Sequence, residues 1–471
     1  MFIPGSRSLS RKNSSFRTPV LSPVPIYRDG AKILPGNVQV VAWRARLTLM
    51  QATKTVLGSG LRVITIPQAE SRSVAVLVAV ATGSNYESRE ENGLSHFLEH
   101  MVFKGSKNYP GMNDISVELE SLGAKNNAFT GNEYTGYYAI ATSDHLSKVV
   151  DVLGDMYLYP LLPAAEIEKE RGVIIEEINM YEDQPQYKVS EVLDELLYGD
   201  TPAGRSVAGT KENLHLFTQD HFKNYLQKHY QAESTVVVVA GNFKSDEALK
   251  LIKDKFADIP TGNRENKEPV TFSQDKPAFA LQYKKSDQAH LRMAFRGLNL
   301  SDKREPVQEV LATVLGGGMS SRLFRRIRDE LGAAYYVGAS SDPSTDHGVV
   351  VVRAGADKDR ADLIVKEILN ECSKLKTELV EDKELMRAKN YLIGHYFLDF
   401  ESNIHLAQYY GLQEALGRPL ITPEEWKREI ELVTAEDILN LAKELFKNEG
   451  LNLAIIGPFE SEEAFEGILK I

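Results

Sequence analysis

The apolar and polar positions of this chain fall into blocks whose period alternates between two and about 3.6 residues, the signatures of strand and helix. Residues 218–256, TQDHFKNYLQKHYQAESTVVVVAGNFKSDEALKLIKDKF, predict a helix, a turn, an apolar strand ending in Gly241, and a second amphipathic helix opened by a Ser. Residues 434–469, TAEDILNLAKELFKNEGLNLAIIGPFESEEAFEGIL, predict the same series. Thr218 corresponds to Thr434 and Gly241 to Gly457, both 216 positions on. Residues 134–153 and 346–368 agree more loosely, each reading as strand, polar turn and helix. Such self-similarity points to an internal duplication.

Between the halves lies the polar, proline-bounded stretch TGNRENKEPVTFSQDKP, residues 261–277, which reads as a linker. The expected division is a basic leader over 1–49, a first domain over 50–262, a linker over 263–274 and a homologous domain over 275–471. Strands and helices mix without strict βαβ alternation. Each domain is therefore expected to be α+β, a mainly antiparallel sheet packed with helices.

Length agrees with this division, since 471 residues exceed what one ordinary core serves. No apolar run approaches the roughly 18–20 residues of a membrane span, so no membrane association is expected. The net charge of −11 is uneven: residues 1–49 carry eight Lys/Arg against Asp29, which is +7 and leaves −18 elsewhere. An acidic body argues against nucleic acid and suits cationic peptides. The leader, rich in Ser, Pro and Arg, has the composition of a transit peptide but lacks an amphipathic repeat. A disordered leader on a cytoplasmic protein is expected, with an organelle matrix as the alternative. The single cysteine, Cys372, rules out an intrachain disulfide and a Cys-based zinc site. Any metal must be held by His and carboxylate.

The strongest chemical signal is GLSHFLEHMVFKG, residues 93–105. Leu94, Phe97, Leu98, Met101 and Val102 predict a largely buried helix that Gly105 can close. His96 and His100 then lie one turn apart on one face, where two imidazoles can share a zinc ion. Glu99 flanks them, placed to act as general base on metal-bound water. His-x-x-Glu-His is the inverse of the commoner His-Glu-x-x-His order and is the inverzincin signature. A third protein ligand is needed, and EIEKERGVIIEEINMYEDQP, residues 166–185, is the place to seek it. Ile167, Val173, Ile174, Ile178 and Met180 give it a helical pattern, with Glu170 and Glu177 two turns apart on nearly one face. Spacing alone leaves Glu176 as a competitor of Glu177.

Taken together, these residues resemble the pitrilysin and mitochondrial processing peptidase family over nearly all of 50–471. In that family the His-x-x-Glu-His helix is followed by a ligand Glu in a segment like ERxVIxxE. Here 76 residues separate His100 from Glu177. The resemblance implies Glu177 as third ligand, Glu170 as its supporting carboxylate, and one Zn2+ per chain. It also implies that the edge-strand motif Asn127, Ala128, Phe129 and Thr130 holds a peptide substrate as an added strand. In the second domain it implies an Arg and a Tyr seven apart that bind the substrate carbonyl and the developing oxyanion. Arg328 and Tyr335 have that separation, with Arg325 or Tyr336 as alternatives in another register.

The second domain lacks the zinc motif, and Gly316, Gly317 and Gly318 are not followed by the Gly-Lys-Ser/Thr of a phosphate loop. The resemblance implies two chains closing one chamber, and a chain holding both sets of residues points to a homodimer. The expected function is zinc metalloendopeptidase action on unfolded peptides. Its rivals are a non-catalytic peptide-binding or scaffold subunit, and a presequence-processing subunit needing a different partner chain.

Overall fold

In a computed structural model the described residues are 51–471, so the basic leader lies outside them. Among these residues no helix is long and apolar enough to cross a membrane. The first half holds β1 (Thr53–Val56), β2 (Arg62–Pro67), β3 (Ser73–Val80), β4 (Lys125–Thr130), β5 (Thr135–Thr142) and β6 (Thr235–Gly241). They form one sheet in the order β1-β2-β6-β3-β5-β4. Its helices are α1 (Leu94–Met101), α2 (Asp114–Ser121), α3 (Leu146–Leu158), α4 (Ala164–Asp183), α5 (Pro185–Tyr198), α6 (Lys211–Leu216), α7 (Gln219–His229) and α8 (Ser245–Lys255).

The second half holds β7 (Ala278–Tyr283), β8 (Gln288–Arg296), β9 (Ala334–Pro343), β10 (Gly348–Asp357) and β11 (Leu451–Gly457), in the order β7-β11-β8-β10-β9. Its helices are α9 (Glu305–Gly316), α10 (Ala361–Thr377), α11 (Asp382–Asp399), α12 (Asn403–Ala415), α13 (Pro423–Leu432), α14 (Ala435–Leu445) and α15 (Glu463–Glu466). Apart from β1 the two orders coincide. β2 pairs β6 in parallel, as β7 pairs β11, and the other neighbours are antiparallel. Each half is thus α+β with a mainly antiparallel sheet, and among the described residues β4 and β9 are matching edge strands.

Both faces of the first sheet are apolar, which requires cover on both sides. Along β3, Val74, Val76, Val78 and Val80 face the core shared with α1 and α3, while Ala75, Leu77 and Ala79 face the other way. That second face is covered by Ile404, Leu406, Ala407 and Tyr410 of α12, from the other half of the chain. At Gly411 a Cβ would stand 3.0 Å from Val238 and 3.1 Å from Leu77, so glycine lets the helix lie close on the sheet. The exchange is reciprocal. Val189, Leu193 and Leu197, on one stripe of α5, cover Ala294, Val349, Val351, Ala454 and Ile456 of the second sheet.

Each half therefore lends its sibling a helix, and the linker adds polar ties. Lys267 lies 2.5 Å from Asp346 and 3.4 Å from Glu133, and Thr345 donates to Glu133 through its hydroxyl at 2.5 Å and its amide at 3.0 Å. Leu193→Ala, which empties a buried site shared by both halves, should cost about 2–5 kcal/mol. Urea unfolding measures it. A loss under about 1 kcal/mol would show that α5 is not part of what joins the halves.

Candidate metal centre

The helix α1 owes its position to its first turn. Gly93 adopts φ 101°, and a Cβ there would stand 2.8 Å from Ala208 O and Gly209 Cα. The buried Glu87 carboxyl then accepts from the amides of Gly93 (2.8 Å) and Ser95 (2.6 Å) and from the Ser95 hydroxyl (2.5 Å). These bonds satisfy donors that a helix start leaves open and set an acid at the positive end of the dipole. Burial opposes its ionisation and pushes Glu87 up to about 7. Leu94, Phe97, Leu98 and Met101 are buried, which leaves His96, Glu99 and His100 on the remaining face. The helix closes at Met101, earlier than expected. Gly105, with φ 113°, belongs to the following turn.

The helix α4 crosses beside α1 with Ile167, Glu170, Arg171 and Ile174 buried. Val173 and Met180, part of its apolar pattern in sequence, are 51% and 46% exposed. Glu177 Oε2 lies 3.8 Å from His96 Nε2 and 3.7 Å from His100 Nε2. Ligand atoms of these three side chains all lie within 4.8 Å of one another. Bonds of about 2.0–2.2 Å to a tetrahedral zinc ion would need only slightly closer spacing. The donor set fits zinc.

The protonation states suit a cation. Burial, and then the neighbouring His100, push His96 down to about 4, so its imidazole is neutral and ready to donate a lone pair. His100 Nδ1 lies 3.3 Å from Glu170 Oε2, and Glu170 Oε1 is held by Lys104 at 2.6 Å. An Nδ1–H donated to Glu170 leaves His100 Nε2 free toward Glu177. Tyr181, one turn beyond Glu177, hydrogen-bonds that carboxylate. Glu176 instead accepts from Asn179 at 3.4 Å on the exposed side of α4.

Glu99 accepts from the Thr130 hydroxyl at 2.5 Å. Burial raises its pKa and Glu177 adds to this, against the Thr130 bond and His100. Thr130 ends β4, so the edge strand and the carboxylate meet directly. Within β4, Asn127 pairs with Tyr138 and Thr130 with Thr135. Ala128 packs toward the core under α1, and Phe129 toward the opposite face. Among the described residues no strand pairs with the outer edge of β4. A cavity of about 320 Å³ opens here, lined by His96, Thr130, Asn132, Glu177, Tyr181 and Tyr187 among others.

Arg328 and Tyr335 are not in that cavity of their own chain. Arg328 sits in a π-helical turn, Phe324–Glu330, with its guanidinium 5.3 Å from the Phe324 ring and donating to the Tyr335 carbonyl. Tyr335 is the extra residue of a β-bulge: Tyr336 pairs with Gly355 and Ala334 with Ala356. Bulges re-aim side chains, and this phenol is 57% exposed. Tyr336 is engaged within the fold, its hydroxyl 3.0 Å from His290 Nδ1. Arg325 lies in the same turn and is exposed.

Sequence reasoning missed Glu87, Lys104, Tyr181 and Asn132. Tyr181 follows Glu177 by four positions on α4, a helical signal that was available, whereas Lys104 lies in the turn after α1. Glu87 and Asn132 lie in loops, where no period applies.

Glu177→Gln should lose metal far more severely than Glu176→Gln, and Glu170→Gln should weaken affinity about 10- to 100-fold. Zinc competition with a chelating dye measures all three. Equal retention by the Glu177 and Glu176 variants would refute the geometry.

Residues 62–211 match the family described as insulinase (peptidase family M16), and residues 216–392 match the peptidase M16 inactive domain. A protein of Rickettsia felis named an uncharacterized zinc protease is 34% identical over 85% of this chain and 96% of its own length. Another of that name from Bacillus subtilis is 35% identical over 85% and 97%. Among solved structures, a protease from Helicobacter pylori superposes with TM-score 0.82 at 21% identity, covering 87% of this chain and all of that one. A peptidase M16 inactive domain from Pseudomonas fluorescens gives 0.81 at 18% identity, over 87% and 99%. These two show the fold; the sequence relatives and both domain matches show that the chain belongs to peptidase family M16.

Proposed function

We propose that the chain is a zinc endopeptidase that cuts unfolded peptides inside a chamber closed by two copies of itself. The observation that carries this reading is the convergence of His96 Nε2, His100 Nε2 and Glu177 Oε2 beside Glu99, at the end of an open sheet edge. One zinc ion held by these three side chains would supply a Lewis acid for the scissile carbonyl and lower the pKa of water. Glu99 takes the proton from the attacking water and passes it to the leaving amine. Its burial makes it a stronger base than an exposed carboxylate, and Thr130 fixes its orientation.

Peptide enters as an added strand on β4, along Asn127–Thr130, so that backbone hydrogen bonds supply affinity with little demand on sequence. Arg328 and Tyr335, exposed and outside the cavity of their own chain, serve the site of the second copy. There the guanidinium and phenol donate to the substrate carbonyl and to the developing oxyanion. Glu170 and Lys104 keep His100 in the tautomer that presents Nε2.

Purified full-length protein should contain about one zinc ion per chain, elute with the mass of two chains, and hydrolyse a fluorogenic unfolded peptide. A zinc-replete dimer that cleaves no peptide would overturn the enzymatic reading. Activity only after addition of a different chain would replace the homodimer with a processing subunit.

A further inference from the structure

The duplication repeats a cleft as well as the strands. In the first half a cavity of about 790 Å³ adjoins the metal site, with Arg89, Lys188, Glu191 and Glu195 in its lining. In the second half a cavity of about 410 Å³ opens between α9, α11, α12 and α13, with Glu305, His405, Gln408 and Leu412 at the matching places. Each follows its counterpart by 216 or 217 positions. The position is shared, and the chemistry is not.

The walls of the second cavity are aromatic. Tyr396 stacks on Trp426 with ring centroids 4.1 Å apart, and Phe400 meets Tyr409 edge-on at 4.9 Å. Its charge is acidic, with Glu305, Glu309 and Asp399 against Arg418 and a histidine, His405. Arg418 is drawn to Glu305, 3.7 Å away, and among the described residues no Lys or Arg forms an ion pair with Glu309 or Asp399. Tyr396 and Trp426 hydrogen-bond the Glu309 carboxyl, while burial and the charge of Glu305 push it up to about 7. These surroundings disfavour the ionised carboxylate, and a positive group entering the cavity would favour it. A bare metal ion is a poor match, because aromatic carbon stands where such an ion needs oxygen. A cation with an apolar stem satisfies both linings.

We propose that this cavity is a second binding site, for an organic cation whose ammonium or guanidinium head sits on Glu309 and Asp399 and whose stem lies against Tyr396, Phe400 and Tyr409. Such a head belongs to a free polyamine or to a lysine or arginine side chain of a peptide. The site is independent of metal and of peptide cleavage.

The chain has two tryptophans, Trp43 in the leader and Trp426 in the cavity wall. Full-length protein carrying Trp43→Phe therefore reports on the cavity through its remaining indole. It would be titrated at fixed ionic strength with hexane diamine, spermidine and N-acetyl-arginine amide, with hexanediol as the uncharged control. The expected result is a saturable fluorescence change with cations and none with the diol. Glu309→Gln and Asp399→Asn should each weaken it by roughly tenfold or more. Asp399 is exposed, so its neutral variant tests the charge without disturbing packing. Response to the diamine and spermidine alone would assign free polyamines, and response to the arginine amide would extend the site to peptide side chains. Equal response to the diol, no saturation in the millimolar range, or unchanged affinity in both variants would overturn the proposal.

Discussion

Glu99→Gln is expected to lower peptide turnover by about 10²–10⁴-fold while zinc content stays at the wild-type level. The substitution keeps the shape of the side chain and an oxygen that can accept the Thr130 hydroxyl, so the local contact at the end of β4 survives. What it removes is the capacity to take a proton. Metal should be retained because the atoms that converge belong to His96, His100 and Glu177, with Glu99 outside that group. Elemental analysis alongside the fluorogenic assay separates the two effects. A variant that kept more than about a hundredth of wild-type turnover would remove Glu99 from the base role. One that lost zinc in parallel with activity would make it a ligand.

Much of this architecture could be read from the chain because the duplication is nearly in register. β2 and β7 begin at Arg62 and Ala278, and β6 and β11 at Thr235 and Leu451, each pair 216 apart. The histidine pair was legible for the same kind of reason, since a helix fixes i and i+4 on one face. The same geometry could not decide between Glu176 and Glu177, which lie on adjacent faces of α4. Only the crossing of α4 against α1 turns Glu177 inward and leaves Glu176 with Asn179.

The exchange of α5 and α12 was not legible. An apolar stripe shows that a helix buries a face but not which sheet receives it, and Leu193 reads the same whichever half it covers. Nor did the glycine run 316–318 explain itself. In the fold, a Cβ on Gly316 would stand 2.2 Å from the Ala339 amide, so the end of α9 can touch the edge strand β9 only without a side chain.

The comparison of α1 with α9 also shows why one half has a metal centre and the other does not. At 216 positions beyond His96, Glu99 and His100 stand Ala312, Leu315 and Gly316. Ala312 and Leu315 are buried in the second core, so the face that carries ligands on α1 is sunk in apolar packing on α9. A histidine placed there would meet hydrocarbon. In the sibling domain the groups proposed for catalysis lie elsewhere, on the exposed Arg328 and the bulged, exposed Tyr335.

That division of labour gives the last prediction. Glu99→Gln removes the base from the first half of a chain, and Tyr335→Phe removes an oxyanion donor from the second. Each variant alone should be nearly inactive, the tyrosine variant by about 10²–10³-fold, as for loss of one such donor. In an equal mixture allowed to exchange subunits, about half the dimers contain one chain of each kind. If a site joins the first half of one chain to the second half of its partner, each mixed dimer has one site with both Glu99 and Tyr335 intact. Its other site lacks both. Activity should then recover to about a quarter of the wild-type value, since half the dimers regain half their sites. If each site drew only on its own chain, every site would still lack one group and mixing would restore nothing. Subunit exchange must be shown independently, by energy transfer between labelled chains. Demonstrated exchange without recovery would exclude the shared site and confine Arg328 and Tyr335 to a role within their own chain.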